Sequence, residues 1–487
     1  MSKLSVKTKQ VRFPVAPDLY GLFFEDINRS VDGGLYPEML RNRSFEDSIP
    51  PKRCTVSQGG VKFTTPLGWS DQFNGGEGLA RWMKGFPPTA IPAWYTQDAD
   101  MRLDAGDTLN DKRLVSLRVF LSPGGSLKNI GYQGMAFKTG AKYSFYMFAK
   151  AADRAAPVTI SIHADDGTIL DKKDLVVNPG AYGRYDCGFV APKDATKGYL
   201  TITSLEASEL CIGFTSLMPA DTYKGHGMRC DLMEILDGIN AKFLRFPGGC
   251  IVEGFTKETA MRFSNTIGPV WERPSHMLMW HYRTTNGLGF HEYLQICEDL
   301  DLEPMYVINC GMTCQGRAME LFESEEIDDF LREAFDAIEY AIGATDTPMG
   351  RKRAAAGHPA PFKMSYIEIG NENYGPEYNK RYQYFYDALK KRYPSIKYIS
   401  NTHTEKDGLS TEIADEHFYN TSHFFMENIH MYDGYDRKGP DIFVGEYAVN
   451  TGEDSATLRG ALAEAMFLMG IEHNQDIVKL TAYAPPF

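Results

Sequence analysis

The sequence predicts an α/β fold, a (β/α)8 barrel with a large all-β sandwich inserted after its first strand. Three observations carry this. From residue 242 onward, short apolar runs alternate with amphipathic helices, the pattern of repeated βα units around a parallel sheet. About 215 residues separate the strand candidate Leu19–Ile27 from the next one at Lys242, far more than a βα crossover needs. Inside that gap helical periodicity is nearly absent, and short alternating runs stand between Gly, Pro and Asp turns.

Taken in order, LYGLFFEDI (19–27) is the first barrel strand. The insert then offers strands at 114–121, 143–149, 158–164, 199–205 and 210–217, and a helix over 226–239 returns the chain to the barrel. KFLRF (242–246) and PMYVIN (304–309) follow as strands. The spacing of Ile327, Leu331, Ala334, Ile338 and Ala341 predicts a helix over 327–342. SYIEIG (365–370) is a strand, and the helix after it groups Tyr382, Phe385, Tyr386 and Leu389. Runs at 397–400, 413–419, 441–446 and 477–483 complete eight strands, with a helix over 455–470 before the last. The domains are therefore 1–47, the N-terminal segment and first strand; 48–222, the insert; and 223–487, the rest of the barrel. The sequence stops at AYAPPF with no helix to cover the last strand, which reads as a piece of a longer chain.

Composition excludes several classes. The 487 residues carry a net charge of −13 and no long basic run, so no nucleic-acid partner is expected. No apolar stretch is long enough to span a bilayer, and the basic opening MSKLSVKTKQ leads into no apolar signal region. The eight Cys are scattered, with no CxxC pair and no zinc spacing, and read as buried reduced thiols in a soluble cytoplasmic protein. Two decoys fall away. Gly76-Glu77-Gly78 lacks the context of a dinucleotide loop, and His291-Glu292 is followed by Gln295 where a zinc-protease helix needs a second His.

The chemistry lies at two strand ends. IEIGNEN (367–373) places Glu372 between two amides just past a strand, where a parallel barrel lines its active-site mouth. DIFVGE (441–446) ends a strand three later on a second carboxylate, Glu446. Two carboxylates across one mouth are the minimum machinery for glycoside hydrolysis, one protonated with a raised pKa and one ionised. Between them DEHFY (415–419) supplies Tyr419, able to hydrogen-bond the nucleophile, and His417, able to orient a carboxylate.

GNEN (370–373), HFY (417–419) and GEY (445–447) together resemble glycoside hydrolase family 51, the α-L-arabinofuranosidases. The stretches GLFFEDINRSVDGGLYPEMLRNRSFE (21–46), LRFPGGC (244–250), NTIGPVWERP (265–274) and GLGFHEYLQICEDL (287–300) carry the same resemblance. It covers 15–47 and about 225–487, and the insert bears a loose likeness to carbohydrate-binding β-sandwiches. The resemblance implies a TIM barrel with Glu372 as acid/base and Glu446 as nucleophile. It also implies that Asn371 binds the sugar 2-hydroxyl, Tyr419 contacts Glu446, and Glu25 binds arabinose hydroxyls. Trp280 would form an aromatic wall, Arg245 would keep Glu446 ionised, and Asn309 would lie on the pocket floor. Cys250 stands where some relatives have Asn, and Pro485 and Pro486 where some have a pocket-lining Gln. The family's C-terminal β-sandwich has no counterpart in the sequence, while relatives often form oligomers, so a homo-oligomer is open.

The expected reaction is retaining exo hydrolysis of arabinose-containing oligo- or polysaccharides by double displacement, with no metal or organic cofactor. It requires carboxyl groups roughly 5–5.5 Å apart, not beyond about 6.5 Å. The alternatives are an endo-xylanase or glucanase of the same clan, and a non-catalytic polysaccharide-binding protein built on the insert.

Overall fold

The computed structural model describes residues 15–57, 62–72 and 91–484. The N-terminal MSKLSVKTKQ stretch, Gly76-Glu77-Gly78, Pro485 and Pro486 lie outside them.

β1 (Tyr20–Phe23) opens the barrel, and the chain then leaves it for the nine strands of a second sheet. These are β2 (Trp94–Asp104), β3 (Ser116–Asn129), β4 (Met135–Phe137), β5 (Lys142–Ala151), β6 (Ala156–His163), β7 (Ile169–Val177), β8 (Gly183–Val190), β9 (Ala195–Thr203) and β10 (Ser208–Pro219). Helix α1 (Cys230–Ile239) returns the chain to β11 (Phe243–Phe246), β12 (Glu303–Ile308), β13 (Tyr366–Ile369), β14 (Lys397–Ser400), β15 (Ile413–Asn420), β16 (Asp441–Val449) and β17 (Val478–Tyr483). β1 and β11–β17 pair in parallel in that order, and β17 closes on β1 with Thr481 opposite Tyr20. The (β/α)8 barrel expected from the βα alternation is therefore present.

Side chains alternate along a strand, which layers the barrel interior. Phe243, Met305, Tyr366, Ile399, Ile413, Phe443 and Leu480 join Phe23 in one buried apolar layer. Two residues further along three of these strands, in the same inward phase, stand Arg245, Glu368 and Asp415, all buried. A charged layer thus sits directly on the apolar one, with the Arg245 guanidinium 4.8 Å from the Phe23 ring centre. Outside the barrel, the helix Gly375–Arg392 buries Tyr378, Tyr382, Phe385 and Leu389.

The insert differs from five strands between turns. Its nine strands form one continuous hydrogen-bonded sheet. The hinge is β3, whose first half pairs with β10 and whose second half pairs with β9, while β2 runs along both. Ser122-Pro123-Gly124-Gly125 reads as a turn, yet the strand passes through it with Gly124 at φ 82°. Leu117 and Val119 from one half and Leu127, Ile160 and Ile202 from the other share a single core, so the sheet doubles over on itself. A further small sheet over 55–72 packs Phe63 against Phe255 beside the barrel mouth.

Two boundaries move for local reasons. The first strand ends at Phe23 because Phe24–Ile27 turns, with Ile27 N–H donating to the Glu25 carbonyl. The helix expected from 226 begins at Cys230, since Gly225 and Gly227 have φ of 79° and 89°, which a right-handed helix cannot accommodate.

Candidate active site

Glu372 follows β13 in the Gly370-Asn371-Glu372-Asn373 loop, itself in left-handed backbone (φ 48°). A non-glycine residue held there costs free energy that the surrounding contacts must offset. Glu446 lies within β16 beside a bulge: Glu416 pairs with Val444 and His417 with Glu446, leaving Gly445 extra. A β-carbon on Gly445 would come within 2.3 Å of Asp415 Oδ1, which accepts the Gly445 amide at 2.9 Å. The bulge, and hence the aim of Glu446, requires glycine. One oxygen of each carboxylate and a ring nitrogen of His417 lie within 4.8 Å of one another.

Arg245 is the hub beneath them. Its Nη1 donates to Glu446 Oε1 at 2.7 Å, its Nε and Nη2 donate to Glu368 at 2.5 and 2.8 Å, and Nη2 also reaches Asn371 Oδ1 at 2.9 Å. Tyr419 Oη donates to the other oxygen of Glu446 at 2.5 Å. His417 bridges the layers, with Nδ1 on Glu372 Oε1 at 2.9 Å and Nε2 on Asp415 Oδ2 at 2.8 Å. Burial alone would lower the His417 pKa, but the Asp415 and Glu446 carboxylates outweigh it and raise it well above the ordinary histidine value.

That imidazolium corrects one expectation. Glu372 is not raised: the hydrogen bond from His417 outweighs burial and holds its carboxyl below the usual range. The raised carboxyls of the site are Glu25, Glu253 and Glu368, the last pushed up to about 7 by burial against the pull of Arg245. Burial, followed by the Glu446 charge, pushes Glu25 up to about 8, although the Gly249 and Ile251 amides both donate to its Oε1. Glu253 is pushed well up, first by burial, and accepts from Asn371 Nδ2 at 3.2 Å and Asn373 Nδ2 at 2.6 Å.

Of the other residues singled out in the sequence, Cys250 is half-buried, with Sγ 3.7 Å from Glu372 Oε2. Trp280 packs beside Ile251, Phe255 and Cys314 with the Arg317 guanidinium 5.1 Å from its ring centre. Asn309 is a different case. Its Oδ1 accepts the Gly311 and Met312 amides and its Nδ2 donates to the Val252 carbonyl, so its carboxamide holds loops together. Three functional groups escaped the sequence reading: Glu368, Asp415 and Glu253. The first two share the inward phase of Tyr366 and Ile413, a signal that strand alternation offers.

A family model described as the α-L-arabinofuranosidase 1 domain matches residues 235–437. The chain is 33% identical to α-L-arabinofuranosidase 1 of Arabidopsis thaliana, over 97% of this chain and 67% of that protein. It is 31% identical to an extracellular exo-α-L-arabinofuranosidase of Streptomyces chartreusis, over 96% of this chain and 55% of that protein. The solved structure of arabinose-bound MgGH51 α-L-arabinofuranosidase superimposes with a TM-score of 0.81 at 26% identity, over 98% of this chain and 76% of that one. The chain belongs to the family 51 α-L-arabinofuranosidases. This family 51 chain spans about half the length of the Streptomyces relative and two thirds of the Arabidopsis one. The similarity runs through the insert as well as the barrel, since each of these matches covers nearly the whole chain.

Proposed function

We propose that this chain is a retaining, exo-acting α-L-arabinofuranosidase that releases L-arabinose from arabinose-containing saccharides. The observation that carries the reading is the carboxylate pair, with an oxygen of Glu372 and one of Glu446 within 4.8 Å. That closeness suits direct attack by one carboxylate; an inverting pair stands roughly 6.5–9.5 Å apart to admit a water. The family match, the exo-acting Streptomyces relative and the arabinose held by the structural neighbour support the substrate.

Glu446 is the nucleophile. Arg245 and Tyr419 each donate to one of its oxygens, which orients the carboxylate and counters its charge without a proton. Glu372 protonates the departing oxygen as Glu446 attacks the anomeric carbon, giving a covalent arabinosyl-enzyme; it then deprotonates water, whose attack frees arabinose with retained configuration. The proton it needs is held at Nδ1 of His417, across a 2.9 Å hydrogen bond, so acid and imidazole act as one titrating pair. Asn371, clamped between Arg245 and Glu253, offers its amide to the sugar 2-hydroxyl. Glu25, a neutral carboxylic acid at neutral pH, can donate as well as accept toward arabinose hydroxyls.

The test is hydrolysis of an aryl α-L-arabinofuranoside by the wild type and by Glu446→Ala, with and without azide. Release by the wild type, lost in the variant and restored by azide as the inverted adduct, is the expected result. Hydrolysis by Glu446→Ala at the wild-type rate would overturn the assignment.

A further inference from the structure

Behind Glu372 lies a cluster whose two thiols the mechanism above does not use. α2 (Cys250–Glu253) is a single helical turn, so Cys250 and Glu253, three residues apart, project on the same side. Cys314 is brought to them from the loop after β12, where its amide donates to the Gly254 carbonyl at 2.9 Å. The two sulfurs and a Glu253 oxygen all lie within 4.8 Å of one another. Cys314 and Glu253 are buried, and Cys250 faces Glu372. Arg317 Nη1 donates to Cys314 Sγ at 3.1 Å.

The geometry points to a binding site for a thiophilic divalent cation, Zn²⁺ or Cd²⁺, held by Cys250 Sγ, Cys314 Sγ and a Glu253 oxygen. Two soft sulfurs and one carboxylate are a donor set that such ions select over Mg²⁺ or Ca²⁺. With zinc–sulfur bonds of about 2.3 Å, tetrahedral ligation puts the sulfurs about 3.8 Å apart, so the donors need to close by about 1 Å or less. Charge also closes. Two thiolates and a carboxylate carry three negative charges, met by the cation's two and the one on Arg317, which is already hydrogen-bonded to a ligand sulfur. Binding displaces into solvent the Cys250 proton, and those of Cys314 and Glu253 where these groups carry one; nothing is oxidised.

Occupation of the site suppresses hydrolysis, a consequence that rests on the roles proposed for Glu372 and Asn371. The ion takes a Glu253 oxygen from the amides of Asn371 and Asn373 and draws Cys250 Sγ away from Glu372.

The experiment titrates Cd²⁺ into the full chain, kept reduced with a phosphine, and reads thiolate-to-cadmium absorption and calorimetric stoichiometry. One ion per chain is expected, with affinity reduced roughly 100-fold or more in Cys314→Ser and unchanged in Cys187→Ser, whose thiol lies in the insert. Equal affinity in the wild type and Cys314→Ser would overturn the site. X-ray absorption on the zinc-loaded wild type needs no variant: sulfur neighbours at about 2.3 Å support it, and oxygen or nitrogen neighbours alone exclude it. Arabinofuranoside hydrolysis is followed in parallel. Loss on loading that a chelator reverses is expected, and full activity with the site loaded would overturn the inhibitory role. A chain with no hydrolysis at all would count against the proposed function and leave the binding result standing.

Discussion

His417 Nδ1 lies 2.9 Å from Glu372 Oε1 while its Nε2 holds the buried Asp415 at 2.8 Å, so one imidazole joins the proposed acid/base to the charged layer inside the barrel. The shared proton stays on the pair until pH passes the raised His417 value. In His417→Asn the side-chain amide can still donate to Glu372, but the proton must then reside on a carboxyl alone. The basic limb of the kcat/KM profile is expected to move to lower pH, and the rate at neutral pH to fall by roughly 10²–10⁴-fold, the scale of general acid catalysis. A basic limb at the wild-type position would place the acid's proton elsewhere.

Arg245 ties Glu446 and Glu368 to one guanidinium with no solvent exposure. Removing it strands two buried carboxylates, and breaking such a pair costs about 3–5 kcal/mol. Arg245→Met is expected to lose about that much stability in denaturant unfolding, with no detectable hydrolysis. Arg245→Lys keeps the charge but offers no fork to span both carboxylates, so it should recover part of the stability and little of the rate. Full activity in the lysine variant would show that a point charge suffices.

The contrast between Arg245 and its partners marks what sequence could reveal. Glu372 and Glu446 were legible because each follows an apolar run, Tyr366–Ile369 and Ile442–Val444, and a parallel barrel exposes such positions at one mouth, although β16 continues past Glu446 to Val449. Glu368 and Asp415 sit inside such runs. Only the alternation that makes Tyr366 and Ile413 core residues identifies them as inward-facing, and a carboxylate there becomes intelligible once Arg245 is opposite. Glu253 and Cys314 gave no signal, since a one-turn helix and a distant loop meet only in the fold. In the insert, β2, β4, β7 and β8 escaped; in β7 the alternation is broken because Asp171 and Lys173 lie among the less exposed residues beside Leu170, Leu175 and Val177. The depressed carboxyl of Glu372 was equally hidden, because it depends on an imidazole 45 residues away.

Glu25 should leave its mark on stability against pH. Its folded carboxyl titrates near 8 against an ordinary value of 4.5, so between those pH values the folded chain holds a proton that the unfolded chain has released. Stability therefore falls as pH rises through that window. Glu25→Gln keeps the shape and removes the titration. Its melting temperature is expected to decline less than the wild type's between pH 4.5 and 8, with parallel curves sinking the assignment.

Gly249 tests how tightly the site is fitted. A β-carbon there would lie 2.8 Å from Glu446 Oε1 and 2.9 Å from Asn371 Oδ1. Neither oxygen can retreat cheaply, since Arg245 donates to both. In Gly249→Ala the added methyl must turn Glu446, the proposed nucleophile, away from the anomeric carbon, and a displacement of about 1 Å costs roughly 10²-fold in rate. A fall of that size in kcat is expected, while the apolar layer, of which Gly249 is not a member, keeps the barrel folded. Circular dichroism separates the two readings. A folded variant with wild-type kcat would mean that Glu446 tolerates a second position, and the rigid Arg245–Glu446 pairing would no longer account for its aim.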